Sequence, residues 1–256
     1  MRALVTTAPS GSHDEAEDLA RRFGLFAEAR KGRLVPELLA AARGAPVLIL
    51  ASGAADLFDG ERAFRASAGM GYLRLVRAQK GEVDPLIKAA ELSPGDLVLD
   101  ATLGLAQDAL VAAEATQAPV VGLEASPVLA AFAVAALRRV PAAAKDAAAR
   151  VEVRCADHRS ALREIPSGSF DVVLLDPMFR AAQESNPLFD LLRRHGEHAP
   201  LDADTLHEAR RVARRGVLVK DAAPGAELTR LDLVPLPSRR TARIVFGWAA
   251  ADRIPA

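Results

Sequence analysis

Leu97-Val-Leu-Asp100-Ala-Thr-Leu-Gly104-Leu-Ala106-Gln107-Asp108 is the stretch on which the fold turns. A short β-rich run ends in an acid, passes a glycine-containing turn and enters a helical pattern that reaches Val111. A second β-rich run, Val120-Val-Gly-Leu-Glu124, ends in another acid. β-rich runs alternating with helical patterns indicate an α/β fold with a largely parallel sheet. Only Gly104 is present in the turn, and Ala106 fills the last position of a G-x-G pattern. The turn is therefore not a dinucleotide fingerprint, and no phosphate-binding Lys-Ser/Thr pair follows it. A plain tight turn accounts for Gly104 about as well as ligand approach does.

The same rhythm extends in both directions. Downstream, Ser126-Pro127 opens a helix running to about Arg138, with serine as N-cap and proline at the first turn. Val151–Cys155 and Phe170–Leu175 read as strands, the latter an apolar run that should be buried on both faces. Asp204–Ala213 reads as a helix and Gly216–Val219 as a strand. Leu231–Leu236 and Ala242–Trp248 read as a closing antiparallel pair. Upstream, Ala3–Thr7 and Val47–Ala51 are expected strands, and Asp14–Phe23 and Val35–Arg43 expected helices. Ser12 and Glu15 have the spacing of a capping box. A connector, Phe64–Gly81, carries Met70, Leu73 and Val76 at helical spacing beside Arg74, Arg77 and Lys80, and a helix follows over Asp84–Glu91. The reading is a small α/β unit over residues 1–66 and a larger domain over 67–256.

Composition narrows the classes. The 256 residues carry 33 basic and 33 acidic side chains, are 50% apolar, and contain one cysteine, Cys155. Whole-chain disorder, an internal disulfide and a CxxC metal or redox pair are excluded. The cysteine count suits a reducing, cytoplasmic compartment. The longest apolar runs, such as Ala45–Ala55, are too short to span a bilayer, and no membrane association is expected. Lysine is rare beside arginine, a compositional skew that weakens arginine clusters as functional signals.

Four acids, Asp100, Glu124, Asp157 and Asp176, each stand at the C-terminal end of an expected strand. In an open parallel sheet that edge is where ligands bind. Singly, each has a bland reading: Glu124 as a helix-entry charge, Asp157 as the N-cap of a helix beginning near Arg159. Together they are hard to attribute to capping. An acid such as Glu124 can accept hydrogen bonds from two ribose hydroxyls. Asp176-Pro177-Met178-Phe179 is the most informative segment. It resembles the Asp/Asn-Pro-Pro-Tyr/Phe loop of methyltransferases that act on exocyclic amines. An amine conjugated to a base ring is a poor nucleophile, because its lone pair is delocalised. A carboxylate that accepts its N–H bonds lets the nitrogen turn that lone pair toward the methyl donor. An aromatic nearby can stack on an extruded base. Met178 stands where that loop has a second proline.

From Phe64 onward the chain resembles the class I S-adenosylmethionine-dependent methyltransferases. More narrowly, it is similar to the bacterial small-subunit ribosomal RNA guanine-N2 methyltransferase J family and its uncharacterised relatives. The resemblance rests on Asp100-Ala-Thr-Leu-Gly104-Leu-Ala-Gln-Asp108, Gly122-Leu-Glu124-Ala-Ser-Pro127, Asp176-Pro-Met-Phe179 and Val217-Leu-Val-Lys220. It implies a Rossmann-like seven-stranded sheet, mostly parallel with an antiparallel closing hairpin. It implies S-adenosyl-L-methionine as cofactor and RNA as partner, with a guanine N2 as acceptor. Asp100, Thr102, Gly104, Gln107 and Asp108 would lie beside the cofactor. Glu124 and Ala125 would hold the ribose, and Asp157 and His158 the adenine side. Asp176, Pro177 and Phe179 would form the catalytic loop, with Asp176 at the junction of cofactor and amine. Ala106 replaces a glycine usual in that loop.

Substrate contacts are sought among Arg74, Arg77, Lys80 and Lys220. Arg210/Arg211/Arg214/Arg215 reads as charge near a helix C-terminus, and Arg239/Arg240/Arg243 as charge on an edge strand. No metal site is expected: His195 and His198 lack a third ligand and read as a loop. Three rival functions stay open. They are a methyltransferase for a small molecule or protein, a non-catalytic module binding S-adenosylmethionine or RNA, and a nicotinamide dehydrogenase. The missing glycines disfavour the last.

Overall fold

Leu4–Thr7 forms the first strand, β1, of a computed structural model that describes residues 2–60, 62–67, 69–177, 187–196, 200–239 and 241–252. Helix α1 (His13–Phe23), β2 (Phe26–Ala27), α2 (Val35–Ala41), β3 (Val47–Leu50), β4 (Ala55–Asp59) and β5 (Arg62–Arg65) follow. The strands make one sheet in the order β2-β1-β3-β4-β5, parallel around β1 and antiparallel from β3 onward. All four side chains of β3, Val-Leu-Ile-Leu, are buried, as expected for a strand covered on both faces. Ser12 caps α1 by accepting from the Glu15 amide at 3.3 Å. The Glu15 side chain does not close the expected box. It pairs instead with the Arg139 guanidinium at 2.8 Å.

Helices α3 (Gly69–Gln79) and α4 (Pro85–Ala90) lead to β6 (Val98–Asp100) and α5 (Gln107–Thr116). Then come β7 (Val120–Glu124), α6 (Pro127–Arg138), a 3-10 turn (Ala142–Ala144), α7 (Lys145–Ala149), β8 (Val151–Cys155), α8 (His158–Glu164) and β9 (Phe170–Leu175). The chain closes with α9 (Pro187–His195), α10 (Ala203–Val212), β10 (Ala213–Ala222), α11 (Ala226–Arg230) and β11 (Ile244–Ala250). The second sheet runs β11-β10-β9-β6-β7-β8, parallel throughout except that β11 lies antiparallel to β10. This is the Rossmann-like methyltransferase arrangement.

Among the described residues this sheet has six strands. The expected strand over Leu231–Leu236 contributes a single bridge, Pro235 to Gly247, plus a bond from the Leu236 amide to the Phe246 carbonyl. Pro235 and Pro237 lack the N–H groups that a ladder needs, so the pairing partner of β11 is β10.

Helix α6 explains how the two sheets join. Every residue from Val128 to Leu137 is buried, so the helix is apolar all round. It packs against α1, β3 and β4 on one side and β7 and β8 on the other. Just after it, Arg139 is buried and donates to the carbonyls of Ala51 and Ala54 as well as to Glu15. No single described helix is long and apolar enough to cross a membrane.

Candidate functional site

Strands β6, β7, β9 and β10 bring their carboxyl ends to one edge of the sheet. A cleft of about 2030 Å³ opens there. Asp100, Thr102, Gly104, Gln107, Asp108, Glu124, Ala125, His158, Asp176, Pro177 and Lys220 line it, as do Arg74 and Arg77. Residues chosen from separate motifs are thus brought to one place.

The turn after β6 is built for close approach. Gly104 (φ 50°) and Ala106 (φ 58°) are both left-handed. Ala106 is buried at the start of α5 and carries a conformation that favours glycine, a local strain on the order of 1 kcal/mol. The Gly104 amide donates to one Glu124 oxygen at 3.1 Å, and the Ser126 amide to the other at 2.8 Å. Burial pushes Glu124 up to about 7 against those two bonds. Each Glu124 oxygen keeps capacity for another donor.

A chain of charges crosses the floor. Asp84 accepts two bonds from Arg74, each 2.8 Å. Arg74 also bonds Asp108, and Asp108 accepts from Lys220 at 2.8 Å. The Lys220 ammonium then reaches Asp176 at 2.6 Å. The Asp176 amide donates to the Thr102 hydroxyl, also at 2.6 Å, which fixes the backbone at the end of β9. Although buried, Asp108 is held down to about 2 by Lys220 and Arg74. Burial, with Asp108 close by, pushes Asp100 up to about 8. Asp176 is also raised by burial, and Lys220 opposes that rise.

These environments set a pH dependence with a definite sign. A carboxyl raised on folding binds its proton more tightly than the unfolded chain does. Its stabilising contribution is complete below the ordinary carboxyl range and is lost as pH climbs through the folded value. Glu124, raised from 4.5 to about 7, and Asp100, raised from 3.8 to about 8, together define a window from 3.8 to about 8. The ligand-free protein should therefore melt lower at pH 8 than at pH 5.5. Scanning calorimetry at the two pH values tests this, and a higher melting temperature at pH 8 contradicts it.

Several expected residues fall elsewhere. Arg74 lines the cleft, with its guanidinium paired to Asp84 and Asp108. Gly71 allows this: a Cβ there would lie 2.8 Å from the Gln107 carbonyl, so α3 rests directly on α5. Lys80 is exposed and is not among the lining residues. Asp157 caps α8 by accepting from the Ser160 amide at 3.0 Å and does not line the cleft, whereas its buried neighbour His158 does. The capping alternative weighed for Asp157 matches this placement. Phe179, Met178, His198 and Arg240 lie outside the described residues. No group of metal-ligating side chains occurs among those described.

Sequence reasoning missed two contributors. One is Asp84, which orients Arg74 while also capping α4. The other is α9, read from sequence as a loop around His195. Its Leu192 and Gly196 line the cleft. Its outer side is held by the β4–β5 hairpin through Arg62–Asp190 at 3.0 Å and through Asp59, which pairs with Arg194 at 3.0 Å and His195 at 3.1 Å. The N-terminal sheet thereby supports one wall of the cleft.

Comparison with known proteins agrees with this geometry. The profile of a family described as "Putative SAM-dependent methyltransferase" matches residues 67–232. The uncharacterized protein YpiP of Bacillus subtilis is 35% identical over 153 residues, 58% of this chain and 60% of that protein. Ribosomal RNA small subunit methyltransferase J of Laribacter hongkongensis is 39% identical over 160 residues, 58% of this chain and 55% of that protein. The chain thus matches little more than half the length of these curated relatives. A SAM-dependent methyltransferase from Neisseria gonorrhoeae superposes with a TM-score of 0.66, covering 96% of this chain and 95% of its own at 20% identity, which speaks to the fold alone.

Proposed function

We propose, since the chain belongs to the SAM-dependent methyltransferase family, that it transfers a methyl group from S-adenosyl-L-methionine to the exocyclic N2 of a guanine in ribosomal RNA. The names of the curated relatives support RNA as the acceptor class. The observation that carries the amine reading is Asp176. Its carboxyl stands at the end of β9, opens on the cleft, and already accepts an N–H donor from Lys220 at 2.6 Å.

The residues present fit the cofactor. Glu124 is buried with two oxygens that can each take a further donor, as a ribose diol requires. Asp100, Asp108 and Asp176 turn carboxyls onto the same space, and a cationic sulfonium bound there would favour their ionised forms. When bound, S-adenosyl-L-methionine supplies an electrophilic methyl group.

The rest falls to the chain's own side chains. Asp176 accepts the N–H bonds of the target amine and holds its lone pair in line. Thr102 fixes the Asp176 backbone, and the ring of Pro177 fixes its own φ beside it. Lys220 favours the ionised, accepting form of the Asp176 carboxyl, and Asp108 holds the Lys220 ammonium in place. The two units, residues 1–66 and 67–256, then divide the labour: the larger carries the chemistry and the smaller braces α9. A ribosomal RNA acceptor implies work in the cytoplasm.

The test is incorporation of radiolabelled methyl from S-adenosyl-L-methionine into small-subunit RNA that lacks the modification. Nucleoside analysis of the product should yield N2-methylguanosine. A label that survives ribonuclease in a protein or small-molecule fraction would overturn the RNA acceptor, and a label at another base position would overturn guanine N2.

A further inference from the structure

The segment between β10 and β11 gives the cleft a basic wall. Because β11 runs antiparallel, its first residue, Ile244, pairs with Ala222 at the carboxyl end of β10, on the ligand edge of the sheet. The residues before it therefore overhang the site. Two bonds fix their backbone: Ala242 N–H to the Arg239 carbonyl at 2.9 Å, and Ala223 N–H to the Arg243 carbonyl at 3.0 Å. Arg239 and Arg243 both line the cleft. The wall supplied by α3 and α4 carries Arg77 and Lys88, which also line the cleft.

The basic residues that line the cleft fall into two groups. Arg74, Arg215 and Lys220 are matched with carboxylates, as in Arg74–Asp84, Arg215–Asp96 and Lys220–Asp176. Arg77, Lys88, Arg239 and Arg243 have no ion pair among the described residues. Glu82 and Glu91 also face the cleft, both on the α3–α4 side, so among the described residues the unopposed positive charge is concentrated at Arg239 and Arg243. Exposed apolar groups, Met70, Val83 and Ile244, line the same cleft. Cations that track a backbone, interleaved with apolar surface for bases, make a groove for a single-stranded nucleic acid.

We propose that the acceptor RNA strand runs between these walls, with Arg239 and Arg243 as its principal phosphate contacts. This rests on the RNA reading of the function and adds the surface that grips the strand. It also reassigns Arg239 and Arg243, which sequence alone explains as protection of a sheet edge.

The experiment compares the wild-type chain with an Arg239→Ala/Arg243→Ala double variant. The probe is a fluorescein-labelled 20-nucleotide single-stranded RNA, titrated by anisotropy between 50 and 300 mM salt. S-adenosylhomocysteine is titrated separately by calorimetry. The double variant should bind the RNA about 10–100-fold more weakly, with a salt slope lower by about 0.7 for each phosphate that is no longer neutralised. Cofactor affinity should be unchanged, and Arg239→Lys/Arg243→Lys should recover most of the RNA binding. Equal RNA affinity and salt slope in the wild-type and alanine chains would overturn the groove while leaving the RNA acceptor standing. A wild-type chain that binds no RNA, yet binds S-adenosylhomocysteine, would overturn both.

Discussion

Asp176→Ala should lower the rate of methyl transfer about 10²–10³-fold and leave the affinity for S-adenosylhomocysteine within about threefold. The alanine chain keeps the backbone of the site, because the bond to Thr102 comes from the residue 176 amide and not from the carboxylate. What disappears is the acceptor at the end of β9. The Asp176 side chain retains 31% exposure, toward the cleft, so a substrate amine can reach it. Removing one preorganised polar partner from a reacting group in a low-dielectric site typically costs that much. Single-turnover transfer of labelled methyl, alongside calorimetry with S-adenosylhomocysteine, separates the two quantities. A rate within tenfold of wild type would show that Asp176 does not hold the amine. A proportional loss of cofactor affinity would assign it to the cofactor instead.

The parts of this site that sequence made legible are those whose geometry follows from local chain direction. A strand end in a parallel sheet has one possible edge to face, so Asp100, Glu124 and Asp176 could be grouped from the sequence alone. The turn at Gly104 was legible for the same reason. Side-chain direction on a helix was not. Arg74 reads as one of three cations on a connector, but Gly71 lets α3 lie against α5 and turns that face inward onto Asp108. Asp84 and Asp108 were the available signal: a buried guanidinium needs carboxylates, and both lie within reach of it. Helix α9 is legible only through its tertiary partners. Its charged residues Asp190, Arg194 and His195 pair with Arg62 and Asp59, far away in sequence, so nothing local marked them as ordered. Arg239 and Arg243 were hidden by the antiparallel turn of β11, which brings a nominal edge segment to the ligand side.

Lys220→Met is the second large effect, and it distinguishes positioning from contact. The Lys220 ammonium sits between Asp108 and Asp176 at 2.8 and 2.6 Å, with its side chain 17% exposed. Deleting it leaves two neighbouring carboxyls with only Arg74 to compensate, and Arg74 contacts Asp108 alone of the two. Breaking a buried charge cluster from one side costs about 3–5 kcal/mol, which should appear as a lower melting temperature. The more specific consequence concerns protonation. Lys220 opposes the rise that burial imposes on Asp176, so its removal moves Asp176 further up. Transfer needs Asp176 ionised, and the acid limb of the pH–rate profile should therefore shift to higher pH. At neutral pH the rate should fall about 10–100-fold, with partial recovery as pH is raised. Lys220→Arg restores the charge and should return the limb toward its wild-type position. A Lys220→Met chain that folds, transfers slowly and keeps the wild-type pH profile would mean that Lys220 acts only on packing. A rise in KM for RNA with an unshifted limb would mean that it touches the substrate directly.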